Sequence, residues 1–263
     1  MRPPPAAPSG LPDPARGISR FELDERLKAL LEELGGVLKT GTRVRAEPKE
    51  GFVWAAGRRP TKGRWLGLKA HVQGLPMSAD LEMHSGTNGY AGLAGVEDGW
   101  INVCGLFRID RSIEAKGPDL LPAYVEAGGN HILAELLRGA IWREGSFSAV
   151  AGFELGRQPE LPGLVCLGDA ESMIPPFTGN GMSMAFQSAE IAIQPLQAWS
   201  EASLTWEAAK DQIASSLRKR FRRRLATAGV MHRVILRPSG RQLLRSLSAA
   251  HLLPFQPALS LVR

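Results

Sequence analysis

The sequence predicts an α/β (α+β) fold, in which an α/β body is interrupted by an antiparallel sheet and followed by helices. Three observations predict it. An apolar run of strand length at 164–167 leads through a Pro/Gly loop into a long helical pattern. Between residues 65 and 107, apolar and polar residues alternate with the period of a β-strand. From residue 206 onward, apolar residues return at helical spacing.

The composition is that of a globular protein. The chain has 263 residues, 44% of them hydrophobic, which is enough for one large domain or two small ones, and its net charge is +6. No run reaches the length of a membrane helix and no secretory signal is recognisable, so we expect a cytoplasmic protein. Cys104 and Cys166 lie in apolar strand-like runs, which indicates two buried, reduced thiols. The histidines lack ligand spacing, so no metal site is predicted.

The first elements follow from capping and turn residues. Residues 1–17 contain six prolines and predict a disordered leader. Ser19 is placed to cap the helix that follows, with Glu22 as its capping-box partner, and two glycines at 35–36 end that helix. Two short strands are predicted at 37–44 and 52–56.

The alternating stretch predicts an antiparallel sheet with one packed face. Within each strand the polar side chains share one face and the apolar side chains the other. The packed face is predicted to hold Leu68, Met83 and Val103. The polar face is predicted to hold Lys69, His71, Glu82, His84, Asn102 and Cys104. A cavity and bulk solvent are equally compatible with the polar face.

Helices and one strand complete the chain. A helical segment is predicted at 120–138, and a strand at 146–155 is expected to return to the α/β body. The helix after the Pro/Gly loop should end or kink at Pro195. Its expected apolar stripe consists of Met182, Ala185, Phe186, Ala189, Ile193 and Leu196. A helix at 206–224 ends in a basic run, which we interpret as a solvated face because no nucleic-acid-binding motif accompanies it. Further helices are expected at 230–263, with breaks at Pro238, Pro254 and Pro257.

The central motif is Gly168-Asp169-Ala170, followed after five residues by Pro176-Phe177-Thr178-Gly179-Asn180-Gly181-Met182. Its two later glycines allow the backbone to approach a ligand, and the free amides at the helix start favour an electron-rich oxygen. A carboxylate at the end of a buried strand suits a sugar or polyol hydroxyl. The alternative is a βα turn without a ligand, but the length of the whole run favours a functional motif.

This run resembles the second flavin-binding motif of FAD-dependent monooxygenases and reductases of the p-hydroxybenzoate hydroxylase/geranylgeranyl reductase type. The resemblance implies that Asp169 holds the ribityl hydroxyls and that the amides of Gly181 and Met182 face the pyrimidine edge of the flavin. Residues 20–24 are similar to the family's Arg-x-x-Leu-Asp helix, and residues 55–58 to its Ala-Asp-Gly-Arg segment. The implied cofactor-binding residues are Arg20, Gly168, Asp169, Pro176, Gly179, Asn180, Gly181 and Met182.

The resemblance also implies a domain organisation. Residues 18–62 and 146–263 correspond to a partial FAD-binding Rossmann-like domain with C-terminal helices, and residues 63–145 to an inserted antiparallel substrate domain. The Gly-x-Gly-x-x-Gly turn that binds the ADP half of FAD is absent from the sequence. A truncated chain, a partner chain that supplies the ADP site, and loss of flavin binding are the three explanations. We therefore expect the chain alone to retain little FAD.

The expected function is that of an FAD-dependent oxidoreductase. It would be a monooxygenase or reductase of an apolar or aromatic small molecule, with NAD(P)H as the reductant of the flavin and no identified general acid or base. The substrate is expected against Lys69, His71, Glu82, His84 and Asn102. One alternative is a non-catalytic remnant or subunit that needs a partner carrying the ADP-binding half. Another is a basic adaptor. We expect no nucleic-acid partner, while peripheral contact of the basic helix with a membrane stays open.

Overall fold

The computed structural model describes residues 18–58, 61–250 and 252. The leader expected at 1–17 and the breaks at Pro254 and Pro257 lie outside these residues. The helices are α1 (Arg20–Glu33), α2 (Leu120–Ala127), α3 (His131–Gly139), α4 (Gly181–Ser200), α5 (Trp206–Leu236) and α6 (Pro238–Ala249). The strands are β1 (Val53–Trp54), β2 (Trp65–Gln73), β3 (Leu81–Ser85), β4 (Gly89–Gly95), β5 (Ile101–Arg108), β6 (Ile141–Trp142), β7 (Ser148–Phe153), β8 (Gly156–Arg157), β9 (Val165–Cys166) and β10 (Ser172–Met173).

A six-stranded antiparallel sheet forms the larger layer and confirms the predicted mixed α/β (α+β) class. Its strands run in the order β3-β4-β5-β2, and β6 and β7 share the outer edge of β2. The strand expected at 146–155 is therefore present as β7, but it belongs to this sheet. It does not return to the α/β body, because Val150 pairs with Gly67 of β2. The domain boundaries proposed from the sequence otherwise stay a prediction.

One face of the sheet, the helix face, packs against α2 and α3. Its side chains alternate along β2 and meet partners across the ladder, as where Ala70 lies opposite Val103 and Val103 opposite Leu93. These three side chains are at most 1% exposed. They form one core with Leu121 of α2, Leu137 of α3 and their neighbours. The predicted packed face is confirmed for Leu68 and Val103.

The other face, the loop face, carries a different set of residues from the one predicted. In β3, Glu82 pairs with Leu93 and His84 with Ala91, which places both polar residues on the helix face. Met83 pairs with Gly92 on the loop face and is 46% exposed, so its predicted place in the core is wrong. The physical reason is that β3 is a short edge strand. Alternation within a strand gives two sets of side chains, but only the register shows which set faces the core.

A second core lies between β9, α4 and α5. Along α5 the buried residues recur every three or four positions from Trp206 to Leu236, so this helix extends well past the predicted end at 224. On α4 the buried residues are Met184, Ser188 and Ala192, whereas Met182 and Phe186 are exposed. The expected apolar stripe was one position out of phase, because small side chains let α4 approach its neighbours. Pro195 lies inside α4 and does not end it.

His232 of α5 predicts a stability that falls in acid. Burial, with a smaller contribution from the charge of Arg108, lowers the pKa of this histidine from 6.5 to about 4. Between these values the unfolded chain binds a proton that the folded chain does not, so the free energy of unfolding should fall as the pH drops from about 6.5 to about 4. Urea unfolding at several pH values tests this, and His232→Phe should flatten the profile. His131→Gln is the matched control, because His131 is exposed. An unchanged profile in His232→Phe contradicts the prediction.

None of the helices within the described residues has the length and hydropathy needed to cross a membrane.

Candidate functional site

A cavity of about 570 Å³ lies between the loop face of the sheet and the segment that follows β9. The sheet contributes polar and apolar side chains, and the opposite wall is formed by two short segments, 56–58 and 169–176. The side chains used below are Arg58, Lys69, Tyr90, Cys104, Leu106, Val150, Phe153, Asp169 and Pro176. The cavity thus joins the inserted sheet to the central sequence motif.

The turn at Gly168 fixes the start of this opposite wall. The strand β9 lies parallel to β1, and the chain then turns with Gly168 at a φ of +60°. The Gly168 amide donates a hydrogen bond of 2.9 Å to Oγ of Ser188 on α4, and a Cβ at this position would lie 3.4 Å from Cβ of Ala185. Glycine is therefore favoured by the backbone angle, while α4 packs against it at ordinary van der Waals distance, and the turn places Asp169 in the cavity wall.

Asp169 lies half-buried in the cavity wall between two positive charges. Burial raises the pKa of its carboxyl, and the nearby guanidinium groups of Arg20 and Arg58 oppose that rise. Arg20 comes from the first turn of α1, and Arg58 stacks over Phe153 with its guanidinium carbon 5.3 Å from the ring centre. Among the described residues, no group donates a hydrogen bond to the Asp169 carboxylate. A ligand hydroxyl can therefore take that place.

The loop before α4 is held open by its own hydrogen bonds. Thr178 donates from Oγ1 to the carbonyl of Pro175 at 3.0 Å, and the Asn180 side chain donates to the carbonyl of Thr178 at 3.0 Å. Asn180 therefore leaves the helix start without a side-chain cap. Gly179 has a φ of +66°, and no atom lies within 4 Å of a Cβ built on Gly179 or Gly181. The first amides of α4 are thus open to an electron-rich ligand atom.

The structure places two of the eight predicted cofactor residues in the cavity wall and the others on the elements around the central motif. Asp169 and Pro176 line the cavity, and Arg20 acts electrostatically on Asp169. Gly168 forms the turn that presents the aspartate. The remaining four, Gly179, Asn180, Gly181 and Met182, form the loop end and the first turn of α4.

The predicted substrate residues divide into three groups. Lys69 lines the cavity together with Cys104, and Asn102 donates from Nδ2 to the Cys104 sulfur at 3.2 Å. Cys104 is exposed, contrary to the sequence prediction, although desolvation raises the pKa of its thiol. His71 lies on the same loop face, but its side chain is buried and does not line the cavity. Desolvation and the charges of Lys69 and Arg143 lower its pKa.

The third group, Glu82 and His84, lies away from the cavity. Glu82 accepts hydrogen bonds from the Ser78 amide at 2.5 Å and the Ser78 hydroxyl at 2.8 Å. These bonds lower the pKa of Glu82 to about 2. His84 lies 3.1 Å from Glu82 through Nε2. The prediction that these two residues share a face with Lys69 is wrong, because the register of β3 puts them on the helix face. Their contact with a substrate stays a prediction.

Tyr90 and Arg58 are among the cavity residues that were not predicted as site residues. Tyr90 is 3% exposed, and its Oη accepts a hydrogen bond of 3.4 Å from the Phe177 amide, which ties the sheet to the loop before α4. Burial raises the pKa of this phenol. Its position among glycines in β4 gave no signal. Arg58 had a signal, because it closes the segment 55–58 that resembles a family motif.

Comparisons with known proteins point to one fold. Neither protein-family models nor curated protein sequences match the chain. Among solved structures, the flavin-dependent brominase Bmp2 matches with a TM-score of 0.63 and 18% identity over 92% of this chain and 70% of that one. A geranylgeranyl bacteriochlorophyll reductase-like protein (Ta0516) from Thermoplasma acidophilum matches with a TM-score of 0.62 and 18% identity over 85% and 65%. The probable FAD-dependent monooxygenase pqsL from Pseudomonas aeruginosa matches with a TM-score of 0.51 and 16% identity over 72% and 57%.

The chain has the fold of FAD-dependent monooxygenases. This confirms the expected fold class, a mixed helix-and-sheet fold with an antiparallel sheet. The chain spans 57% of the length of pqsL and 70% of that of Bmp2.

The residues of the cavity fit the flavin and ribityl part of FAD. In the wall, the Asp169 carboxylate receives no hydrogen bond from the described residues, which suits ribityl hydroxyls; outside the lining, the uncapped amides at the start of α4 suit the electron-rich edge of a ring system. For the ADP part of the cofactor, the sequence has no Gly-x-Gly-x-x-Gly turn.

Proposed function

We propose that the chain is all or part of an FAD-dependent oxidoreductase. It acts on an apolar or aromatic small molecule as a monooxygenase or reductase, and NAD(P)H reduces the flavin. The observation that carries the proposal is Asp169 in the wall of the cavity, on a turn that a hydrogen bond from the Gly168 amide to Ser188 ties to α4, the helix with the uncapped start. The fold shared with FAD-dependent monooxygenases supports it.

The roles of the cofactor residues follow from their positions. Asp169 accepts hydrogen bonds from the ribityl chain, and Arg20 and Arg58 keep its carboxyl more acidic than burial alone would. The amides of Gly181 and Met182 favour negative charge at the pyrimidine edge, because they lie at the positive end of the α4 dipole. The bound flavin supplies the electron-transfer chemistry, and the protein supplies orientation and electrostatic field.

The wall of the cavity that the sheet forms indicates the class of substrate. Leu106, Val150 and Phe153 present apolar surface, and Lys69 and Cys104 add polar groups at the same wall. Such a mixture holds an apolar or aromatic molecule and orients it through one or two polar contacts. With its raised pKa, the Cys104 thiol is protonated at neutral pH and can donate a weak hydrogen bond.

A second candidate is a subunit that binds FAD only together with a further polypeptide body carrying the ADP contacts. The exposed apolar side chains of two helices favour it. No residue of α1 is buried; Phe21 is 75% exposed, and Leu34, the C-cap residue that follows the helix, is 77% exposed. On α4, Phe186 and Ile193 are 52% and 59% exposed. Exposed apolar surface of this extent is typical of an interface.

A flavin titration tests both candidates. The purified chain is titrated with FAD and riboflavin, and the change in flavin fluorescence is followed. Because the proposed contacts involve only the flavin and ribityl groups, both ligands should bind, weakly and with affinities that agree within about threefold. Absence of binding by either ligand contradicts the first candidate for the isolated chain. FAD binding that is much tighter than riboflavin binding contradicts the second, since the chain would then supply the ADP contacts itself.

A further inference from the structure

A second pocket, separate from the flavin cavity, lies where the sheet ends against the last turns of α5. It has a volume of about 390 Å³. We call it the basic pocket and define it by Arg64, Arg108, His232, Arg233 and Arg237. No residue lines both the basic pocket and the flavin cavity.

The fold brings the arginines together from the start of β2, the end of β5 and the end of α5. Arg64 directly precedes β2 and Arg108 ends β5, and the carbonyl of Arg64 accepts a hydrogen bond of 2.9 Å from the Ile109 amide. Arg108 also lies over the ring of Trp65, its cross-strand partner, with 6.0 Å between the guanidinium carbon and the ring centre. The backbone and the ring hold this side of the pocket in place.

The helix side of the pocket follows from helical spacing. The pocket residues of this segment begin at Gly229 and follow it after three, four, seven and eight positions, at 232, 233, 236 and 237. This spacing places them on one helical face. Arg233 lies in the last turn of α5 and Arg237 is the C-cap residue that follows the helix, and both line the pocket with the buried His232. Gly229 begins the row, and no atom lies within 4 Å of a Cβ built there. The pocket is open at this point because the helix has no side chain.

The charge of the pocket is unbalanced. Four arginines line it, and Glu154 is the single acidic residue among its lining residues. In the described part of the chain, none of these five side chains takes part in an ion pair. Guanidinium groups this close together repel one another, and an anion between them removes the repulsion.

His232 gives an independent indication of a ligand. It is 6% exposed, and within the described residues neither ring nitrogen has a hydrogen-bond partner. Trp65 packs edge-on against its ring at 4.9 Å, and Phe177 stacks on it at 6.2 Å. The low pKa keeps the imidazole neutral, with one N–H that needs an acceptor. Buried polar groups of this kind are nearly always satisfied in folded proteins, and an anionic oxygen in the pocket provides the acceptor.

We propose that the basic pocket binds the phosphate group of a ligand. Several planar guanidinium groups around one point match the many oxygens and double charge of a phosphate better than they match a single carboxylate. Trp65, Leu155 and Leu236 form an apolar wall for the rest of the molecule, and the volume is that of a small-molecule site. A soluble phosphate ester and a lipid headgroup share this chemistry.

Calorimetric titration of the purified chain tests the proposal. The probes are inorganic phosphate, glycerol 3-phosphate, and phosphatidylcholine vesicles with and without phosphatidic acid. Inorganic phosphate should bind the wild-type chain. Arg233→Gln and Arg237→Gln should each raise its Kd about tenfold or more, because each removes a charge-assisted hydrogen-bond donor. Gly229→Leu should abolish binding by filling the pocket, while its melting temperature stays at or above the wild-type value because leucine favours the helix.

Arg223→Gln is the matched control. Arg223 is exposed on the same helix, is absent from the pocket lining, and loses the same charge. Unchanged phosphate affinity in this variant supports the pocket. No phosphate binding by the wild type, or an equal loss in Arg223→Gln, overturns the proposal. Tighter binding of glycerol 3-phosphate than of phosphate identifies a soluble ester. Binding to vesicles that contain phosphatidic acid but not to vesicles of phosphatidylcholine alone, with loss of this binding in Gly229→Leu, identifies a lipid headgroup.

Discussion

Replacing Leu93 with alanine is expected to lower the free energy of unfolding by about 2–5 kcal/mol. Leu93 is 1% exposed, lies at the centre of β4 and packs in the core under α2 and α3. The smaller side chain loses buried apolar contacts and leaves a cavity that the flanking strands and helices are too rigid to fill. Urea unfolding followed by circular dichroism measures the change.

Met83→Ala, on the loop face, is the matched comparison for Leu93→Ala on the helix face. Met83 sits one residue along β3 from the partner of Leu93, but it projects from the loop face and is 46% exposed. Its replacement should change the free energy of unfolding by less than about 1 kcal/mol. A loss in Met83→Ala as large as that in Leu93→Ala would show that β3 has the opposite register, with Glu82 and His84 toward the cavity.

This pair of variants also marks what the sequence can and cannot predict about the sheet. The alternation at 65–107 identified β2, β4 and β5, and it placed Leu68 and Val103 in the core. For β3, apolar residues at 81 and 83 suggested burial, but an edge strand can expose apolar side chains because no neighbouring strand or helix covers that side. Which face of β3 meets the core depends on pairing with β4, and pairing is a long-range property.

The helices show the same division. The loop-to-helix transition at residue 181 was predictable from Gly179 and Gly181, yet the buried face of α4 was predicted one position out of phase. The packing partner of that face is the Gly168 turn, and a small Ser188 suits it better than a large apolar residue would. Hydrophobic periodicity misses such contacts, since it scores side chains by apolarity and not by the space their neighbours leave.

The candidate site was partly predictable for a similar reason. The motif residues around Asp169 are contiguous in sequence, so a resemblance to a family identified them together. The wall opposite them is assembled from separate strands, and only the three-dimensional structure shows that Lys69 and Cys104 meet Asp169 across one cavity while His71 does not. The basic pocket was invisible for the same reason, because its arginines come from residues 64 and 108 and from the end of α5.

Replacing Asp169 should separate flavin binding from stability. Desolvation raises the pKa of this carboxyl despite Arg20 and Arg58, so the folded chain holds the ionised form at a cost. Asparagine keeps the shape and removes the charge. Asp169→Asn should therefore leave the free energy of unfolding unchanged or raise it slightly. Residues kept at such a cost are typical of functional sites.

Replacing Asp169 by asparagine or alanine should also weaken flavin binding, because a carboxylate that accepts ribityl hydrogen bonds is lost. A hydrogen bond to a charged group contributes about 1.5–3 kcal/mol, so Asp169→Ala should raise the Kd for riboflavin about ten- to hundredfold, and Asp169→Asn somewhat less. Fluorescence titration measures both, and Asp119→Asn, an exposed carboxylate far along the chain, is the control. Equal riboflavin affinity in the wild type and Asp169→Ala would remove Asp169 from the site. Weaker binding at undiminished stability would show that the charge serves the ligand, since the fold gains nothing from it.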